Sequence, residues 1–232
     1  RDPSQPVPTT SQAPPGAFAE AYRRCFEAGS EEVLGIFLSG AVSGTLGSAR
    51  TAAGRIEGDR VRVVDSRSGS LGLGMQVIRA VELLDEGRSA EAVAREIERI
   101  REQANVYFTV KDLEGLLRSG RVSRGRAWLA DLLDLRPVLK LDGEGHVVPH
   151  ARVRGEAGAR EAMMTAVDEA LEGSSRYRLG VVHAGVPELA RSVADEVRRR
   201  WAPVQLSCRP LTPVIAAHLG AGAWGLCYQI ED

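Results

Sequence analysis

Residues 33–49 read VLGIFLSGAVSGTLGSA, and this stretch decides the fold that we expect of the chain. The apolar run Val33–Leu38 is typical of a buried strand, and it stops at a cluster of Ser, Gly and Thr. Ser43 is a natural N-cap, which predicts a helix over Ser43–Ile56. Because the N–H groups of a first helical turn attract anions, the loop is either an anion site or an ordinary turn whose hydroxyls only cap the helix.

The same design recurs at residues 60–74, RVRVVDSRSGSLGLG. A strand over Val61–Asp65 runs into a second Ser/Gly loop, and a helix follows over Leu71–Asp85. Parallel strands end at one edge of a sheet, and ligands of open α/β sheets bind at that edge. Two such loops together favour the anion site over simple capping.

The wider pattern predicts two lobes. Strands and helices alternate over residues 1–104, which is typical of an α/β lobe with a parallel sheet. Residues 105–232 predict an α+β lobe with a mostly antiparallel six-stranded sheet. Its strands are expected at residues 106–110, 137–141, 147–153, 178–183, 204–211 and 224–230, and one of its helices at Arg126–Leu135.

Composition excludes several classes of protein. The net charge of −1 and the absence of a long basic block argue against a nucleic-acid partner. No run of about 20 apolar residues is present, so we expect no stable membrane insertion. The 3 cysteines are widely spaced and predict reduced thiols in a cytoplasmic protein. The sequence carries no phosphate-binding loop, dinucleotide fingerprint, nucleophile elbow or metal-ligand set, so we expect no cofactor, no metal and no catalytic residue.

Three further segments carry polar candidates. Residues 8–12, PTTSQ, offer hydroxyls that either hold a carboxylate or form a plain N-terminal turn. His218 lies in the Gly-rich run Val214–Gly225, where we expect a backbone turn to direct its ring either to a carboxylate or to a bond within the turn. The basic segment Arg118–Arg126 is either solvated surface or a docking site for a phosphate or an acidic partner. Arg154, at a strand end, is more typical of surface.

Five motifs in series resemble those of the DegV family, the bacterial fatty-acid-binding proteins that act as the lipid-carrying subunit of fatty acid kinase. They are TSQ at 10–12, LSGAVSGT at 38–45, DSRSGSLGLG at 65–74, LRSGRVS at 117–123 and PVIAAHLGAG at 213–222. The resemblance runs from about Pro8 to the end of the chain. It implies a long-chain fatty acid, palmitate- or oleate-like, buried between the two lobes. Since the family opens with a strand that has no counterpart before Pro8, we expect that strand to be absent from this chain.

The resemblance also implies roles for particular residues. Thr10 and a serine of the first loop, Ser43 rather than its neighbour Ser39, would bind the fatty acid carboxylate, with His218 close by. The residues implied at the carboxylate are Thr10, Ser11, Ser39, Ser43, Gly44, Thr45, His218 and Gly220. Arg121 and Arg154 would lie near the opening where a kinase subunit docks. The chain would then be a monomeric carrier without its own catalysis, which presents the carboxylate to the kinase for conversion to acyl phosphate.

Two other functions stay open on the sequence. The serine loops would also suit a stand-alone hydrolase or phosphotransferase, provided that a base lies within reach of Ser39 or Ser43. Alternatively, the basic segment at 118–126 would dock a partner protein, and the cleft between the lobes would be vestigial.

Overall fold

The computed structural model describes residues 8–122 and 135–232. The helices, in chain order, are α1 Pro15–Glu27, α2 Thr45–Ala53, α3 Ser70–Asp85, α4 Ala90–Arg101, α5 Glu114–Ser119, α6 Gly155–Leu171, α7 Pro187–Trp201 and α8 Pro213–Leu219. The strands are β1 Val33–Phe37, β2 Val61–Asp65, β3 Ala104–Thr109, β4 Leu135–Leu141, β5 Val147–Arg154, β6 Tyr177–His183, β7 Gln205–Pro210 and β8 Trp224–Ile230.

The first lobe is built on a parallel pair of strands. β1 and β2 pair in register, with Gly35 opposite Val63. α3 and α4 cover this pair through a small core that includes Leu83 and Ile97, both fully buried. The carboxyl ends of the two strands therefore open on the same side, as the sequence predicted.

α2 begins two residues later than expected. Gly44, not Ser43, occupies the N-cap position, and no side chain caps the helix there. The Ser43 hydroxyl instead accepts a hydrogen bond from the Thr45 N–H at 3.3 Å. The helix also ends at Ala53 rather than at Ile56. The N-cap predicted at Ser43 is therefore displaced by one residue, and the Ser43 hydroxyl still accepts from an N–H of the first turn.

The second lobe carries a six-stranded sheet of order β5-β4-β3-β8-β6-β7. Every neighbouring pair is antiparallel except β6 and β7, which confirms the mostly antiparallel sheet. α6 and α7 cover one face, where Met163, Val193 and Trp224 belong to a single apolar core. The opposite face, which carries Val106, Phe108 and other apolar side chains, is left to form the wall of a cavity.

One helix was not expected. The segment that contains His218 was predicted as a glycine-rich turn, but Pro213–Leu219 is the helix α8. A proline at its first position and an extended residue before it are ordinary features of a helix start. The glycines therefore end this helix and do not shape a turn around the histidine. The predicted helix at Arg126–Leu135 lies almost wholly outside the described residues.

The turn between β4 and β5 fastens the second lobe to the first. The Ser39 hydroxyl donates to the carbonyl oxygen of Gly145 at 3.0 Å, and an Arg67 guanidinium nitrogen donates to the Gly143 carbonyl at 2.8 Å. Gly145 has a φ of +82°, and a Cβ there would overlap the Ser39 hydroxyl. The turn thus needs glycine at this position for both its backbone angle and its close approach.

A buried ion-pair network joins the lobes at a second place. Arg178 of β6 contacts Glu231 at 2.5 Å and Glu82 of α3 at 2.5 Å, and the Arg178 and Glu231 side chains are almost completely buried.

Among the residues that the structure describes, no helix is long and apolar enough to cross a membrane.

Candidate functional site

A cavity of about 240 Å³ lies between the loops that follow the two parallel strands and one face of the six-stranded sheet. Apolar side chains supply most of its wall, and a group of hydroxyl, amide, imidazole and guanidinium side chains supplies the rest. Its lining residues are Thr10, Ser11, Gln12, Leu38, Val42, Ser43, Gly44, Thr45, Ser68, Gly69, Ser70, Val106, Phe108, Leu116, Arg121, Leu141, Val147, Val182, Leu211, Val214, Ile215, His218 and Leu219.

The apolar wall comes mainly from the second lobe. Val106 and Phe108 are successive inward residues of β3, and Leu141 and Val147 flank the β4–β5 turn. They face the same way because side chains alternate along a strand. The helices α5 and α8 close the cavity with further aliphatic side chains. Such a surface is suited to a long aliphatic group.

The polar cluster, which we define as Thr10, Gln12, Ser43, Thr45 and His218, forms the other part of the lining. Its central contact joins two segments far apart in the sequence, since Thr10 Oγ1 and His218 Nε2 are hydrogen-bonded at 2.7 Å. Burial, and secondarily the charge of Arg121, lowers the pKa of His218 below its ordinary value. Both effects favour the neutral form of the imidazole.

The first Ser/Gly loop supplies two more hydroxyls to the polar cluster. Ser43 Oγ and Thr45 Oγ1 lie 2.9 Å apart and share a hydrogen bond. The Gln12 side chain packs directly on Gly44, where a Cβ would overlap its amide. Gly44 thus allows the N-terminal segment to lie against the loop, which brings these hydroxyls to the same cavity as Thr10.

A glycine on α5 sets the position of His218. A Cβ on Gly115 would lie only 2.5 Å from the backbone oxygen of His218. Glycine is required here because α5 and α8 touch through their backbones at this point. The hydrogen bond between His218 and Thr10 therefore depends on Gly115, which lines no part of the cavity.

Ser39, Gly220 and Arg154 do not line the cavity. Ser39 is completely buried, and its hydroxyl is used by Gly145 and by the Ala41 N–H at 3.2 Å. Gly220 ends α8 with a φ of +77°. Arg154 is exposed at the end of β5. The structural positions of Ser39 and Gly220 account for these two residues without any contact to a ligand, whereas the docking role of Arg154 stays a prediction.

Arg121 is the cation of the described lining, which includes no Asp or Glu. One of its guanidinium nitrogens donates to the Ser119 carbonyl at 2.7 Å, so the side chain is held beside the cavity. Arg124 and Arg126 of the basic segment lie outside the described residues. A cavity with one cation and no described carboxylate favours an anionic head group over a cationic one.

The serines of the first Ser/Gly loop have no histidine partner among the described residues. The described hydrogen bonds of Ser39 and Ser43 go to backbone groups and to Thr45, and none goes to a histidine. The Thr10–His218 pair has no carboxylate among the lining residues to orient the ring. Over residues 8–122 and 135–232, no cluster of His, Cys, Asp or Glu is placed to hold a metal ion. The arrangement is suited to binding an anion.

Sequence reasoning overlooked three polar lining residues, Gln12, Ser68 and Ser70. Gln12 stands inside the segment 8–12, and the two serines stand inside the second Ser/Gly loop. The available signal was the convergence of the two loops, which places Ser68 at the same sheet edge as Ser43. Which side chain of such a loop faces a cavity depends on backbone angles that a sequence pattern does not give.

Comparisons of sequence and of structure with known proteins point to the same family. A sequence model of the DegV family matches residues 2–231. A DegV domain-containing protein from Deinococcus radiodurans is 37% identical over 231 residues, which is 96% of this chain and 78% of that protein. A Thermus thermophilus structure described as fatty acid binding of a DegV family protein has 42% identity and a TM-score of 0.91, covering 96% of this chain and 79% of that one.

The structure of DegV from Bacillus subtilis, described as a fatty acid binding protein, has 30% identity and a TM-score of 0.87, covering 97% of this chain and 79% of that one. The match extends over both sheets and over the loops that line the cavity. The chain therefore belongs to the DegV family.

Proposed function

We propose that this chain binds a long-chain fatty acid, palmitate- or oleate-like, in the cavity between its lobes, with the lobe boundary between residues 104 and 105. The observation that carries this proposal is a largely apolar cavity whose polar cluster joins Thr10 to His218. The fatty acid binding described for the Thermus thermophilus and Bacillus subtilis relatives supports it.

The two parts of the ligand would contribute differently. Burial of an acyl chain of about sixteen carbons is worth roughly 0.8 kcal/mol per CH₂, or on the order of 10 kcal/mol in total. A hydrogen bond to a carboxylate adds about 1.5–3 kcal/mol. The chain therefore supplies most of the affinity, while Thr10, Ser43 and His218 fix the position of the head group.

The carrier would then present the carboxylate to a partner fatty acid kinase. A carboxylate oxygen attacks the terminal phosphorus of a nucleoside triphosphate, the bond to the diphosphate breaks, and acyl phosphate forms on the carrier. Arg121 would hold the developing negative charge, and the kinase subunit would supply the rest of the chemistry. The chain itself would act as a monomeric carrier in the cytoplasm and would supply no catalytic residues. Nucleic acid would not be one of its partners.

The first experiment identifies the ligand and measures its use. We expect mass spectrometry of the natively purified protein to detect a bound acyl chain. Together with a bacterial fatty acid kinase and ATP, the loaded protein should yield acyl phosphate, trapped as a hydroxamate. Thr10→Val should weaken binding, because it removes the partner of His218 while it keeps the shape of the side chain.

Thr51→Val is the matched control. Its hydroxyl bonds only to the Gly47 carbonyl within α2, on an exposed surface. If repeated preparations carry no acyl chain and added fatty acid does not bind, the carrier function is wrong. Turnover by the isolated chain would instead favour the stand-alone hydrolase or phosphotransferase.

A further inference from the structure

Ser68 lies in the second Ser/Gly loop, immediately before α3, and it lines the cavity. The residue is only 5% exposed. Its hydroxyl oxygen is buried and has no hydrogen-bond partner among the described residues. Buried hydroxyls are nearly always bonded, because an unmade bond has a substantial cost. This exception therefore requires an explanation.

The backbone of Ser68 is held firmly while its hydroxyl is left free. The Ser68 N–H donates to the Ser66 hydroxyl at 3.1 Å, and that hydroxyl donates in turn to the Ser68 carbonyl at 3.2 Å. The Ser39 N–H donates to the same carbonyl at 2.9 Å. These bonds fix the loop against the first Ser/Gly loop, so the free hydroxyl belongs to an ordered segment.

The hydroxyl is packed beside Gly72 and Val106 and has no acceptor among the described residues. A Cβ on Gly72 would overlap the Ser68 hydroxyl and would lie 2.7 Å from a Val106 methyl group. Gly72 thus keeps open the space in which the hydroxyl sits. Rotation about χ1 to another staggered position would turn the hydroxyl towards the cavity that Ser68 lines, where a ligand oxygen can become its partner.

We propose that Ser68 is a further ligand-binding residue, whose hydroxyl donates a hydrogen bond to the carboxylate of the fatty acid, so that both Ser/Gly loops hold the head group. This assignment rests on the fatty-acid-binding function proposed above. It explains why a hydroxyl at the junction of the two loops is ordered and buried and yet has no partner among the described residues.

The test compares Ser68→Ala with Ser66→Ala, a matched change in the same loop. Delipidated proteins are titrated with palmitic acid and with hexadecanol, and their thermal unfolding is recorded without ligand. Ser68→Ala should weaken palmitate about tenfold while hexadecanol binding changes much less, because a bond to a charged group is the stronger one. Without ligand, its Tm should equal or exceed that of the original protein.

Ser66→Ala should behave in the opposite way, with a lower Tm and an unchanged ratio of palmitate to hexadecanol affinity, because its hydroxyl bonds only within the loop. An unchanged ratio in Ser68→Ala would overturn the assignment, as would a loss of Tm as large as that of Ser66→Ala. Failure of the unaltered protein to bind palmitate would refute the proposed function itself. Binding by that protein with no effect of Ser68→Ala refutes only the role of Ser68.

Discussion

Replacing Gly115 by alanine should disturb the polar cluster from outside the cavity. The new Cβ would lie 2.5 Å from the His218 carbonyl oxygen and 3.2 Å from its carbon. An ordinary contact begins at 3.4 Å. The backbone of α8 must therefore retreat by 3.4 − 2.5 = 0.9 Å, and a rigid helix carries the imidazole with it.

That displacement is large on the scale of a hydrogen bond. The Thr10–His218 distance is 2.7 Å, and a retreat of about 0.9 Å, if it is directed away from Thr10, lengthens it to about 3.6 Å. At 3.6 Å the hydrogen bond is lost. A displaced His218 would also lose its proposed contact to the fatty acid carboxylate. Loss of one such contact should reduce the binding free energy by about 1.5 kcal/mol, which corresponds to roughly tenfold weaker binding.

The assay combines a binding titration with a direct probe of the histidine. Displacement of a fluorescent fatty acid gives the affinity, and ¹⁵N NMR of the imidazole reports whether His218 keeps its hydrogen bond without ligand. Gly47→Ala is the control, since a Cβ at that position in α2 meets nothing within 4 Å. This control should bind normally and gain up to about 1 kcal/mol of stability from helix propensity. Unchanged binding and an unchanged imidazole spectrum in Gly115→Ala would refute the reasoning.

Three other perturbations test the fold and the charge of the site. Gly145→Ala should lower the free energy of unfolding in urea by about 2–4 kcal/mol, because it combines a positive φ with an overlap, whereas Gly143→Ala, in open space, should change it little. Glu231→Gln removes a charged partner of the buried Arg178 guanidinium and should lower the free energy of unfolding by about 3 kcal/mol. The exposed Glu188→Gln should leave that free energy nearly unchanged. A bound carboxylate should raise the lowered pKa of His218, so binding should be accompanied by proton uptake. Fatty acid affinity should therefore increase as the pH falls from 8 to 6. Calorimetry in two buffers that shows no proton uptake would contradict this expectation.

The architecture could be predicted because its signals are local. The apolar run at Val33–Phe37, the alternation at Val61–Asp65 and the spacing of the six later strands determine strand positions without knowledge of distant residues. The alternation of strands and helices in the first part of the chain predicts a parallel sheet, and the pattern of the later strands predicts a mostly antiparallel one. Only short features were misplaced, such as the start of α2 and the seven-residue helix α8.

The site was less predictable because its contacts join distant parts of the chain. Ser39 belongs to a motif that suggests ligand binding, but its hydroxyl is used by Gly145, 106 residues away. Ser68 stands in a loop of similar composition and is left without a partner among the described residues. No pattern within either loop distinguishes the bonded serine from the free one, since the difference arises where the two lobes meet.

The hydrogen bond between Thr10 and His218 spans 208 positions of the chain. A nascent polypeptide consequently cannot form this contact until His218 has left the ribosome. Until then the aliphatic lining is open to water and to other chains, which is a state prone to aggregation. Under the proposed function, a bound lipid would favour the closed form by mass action, so supply of the ligand and survival of the newly made protein would be coupled.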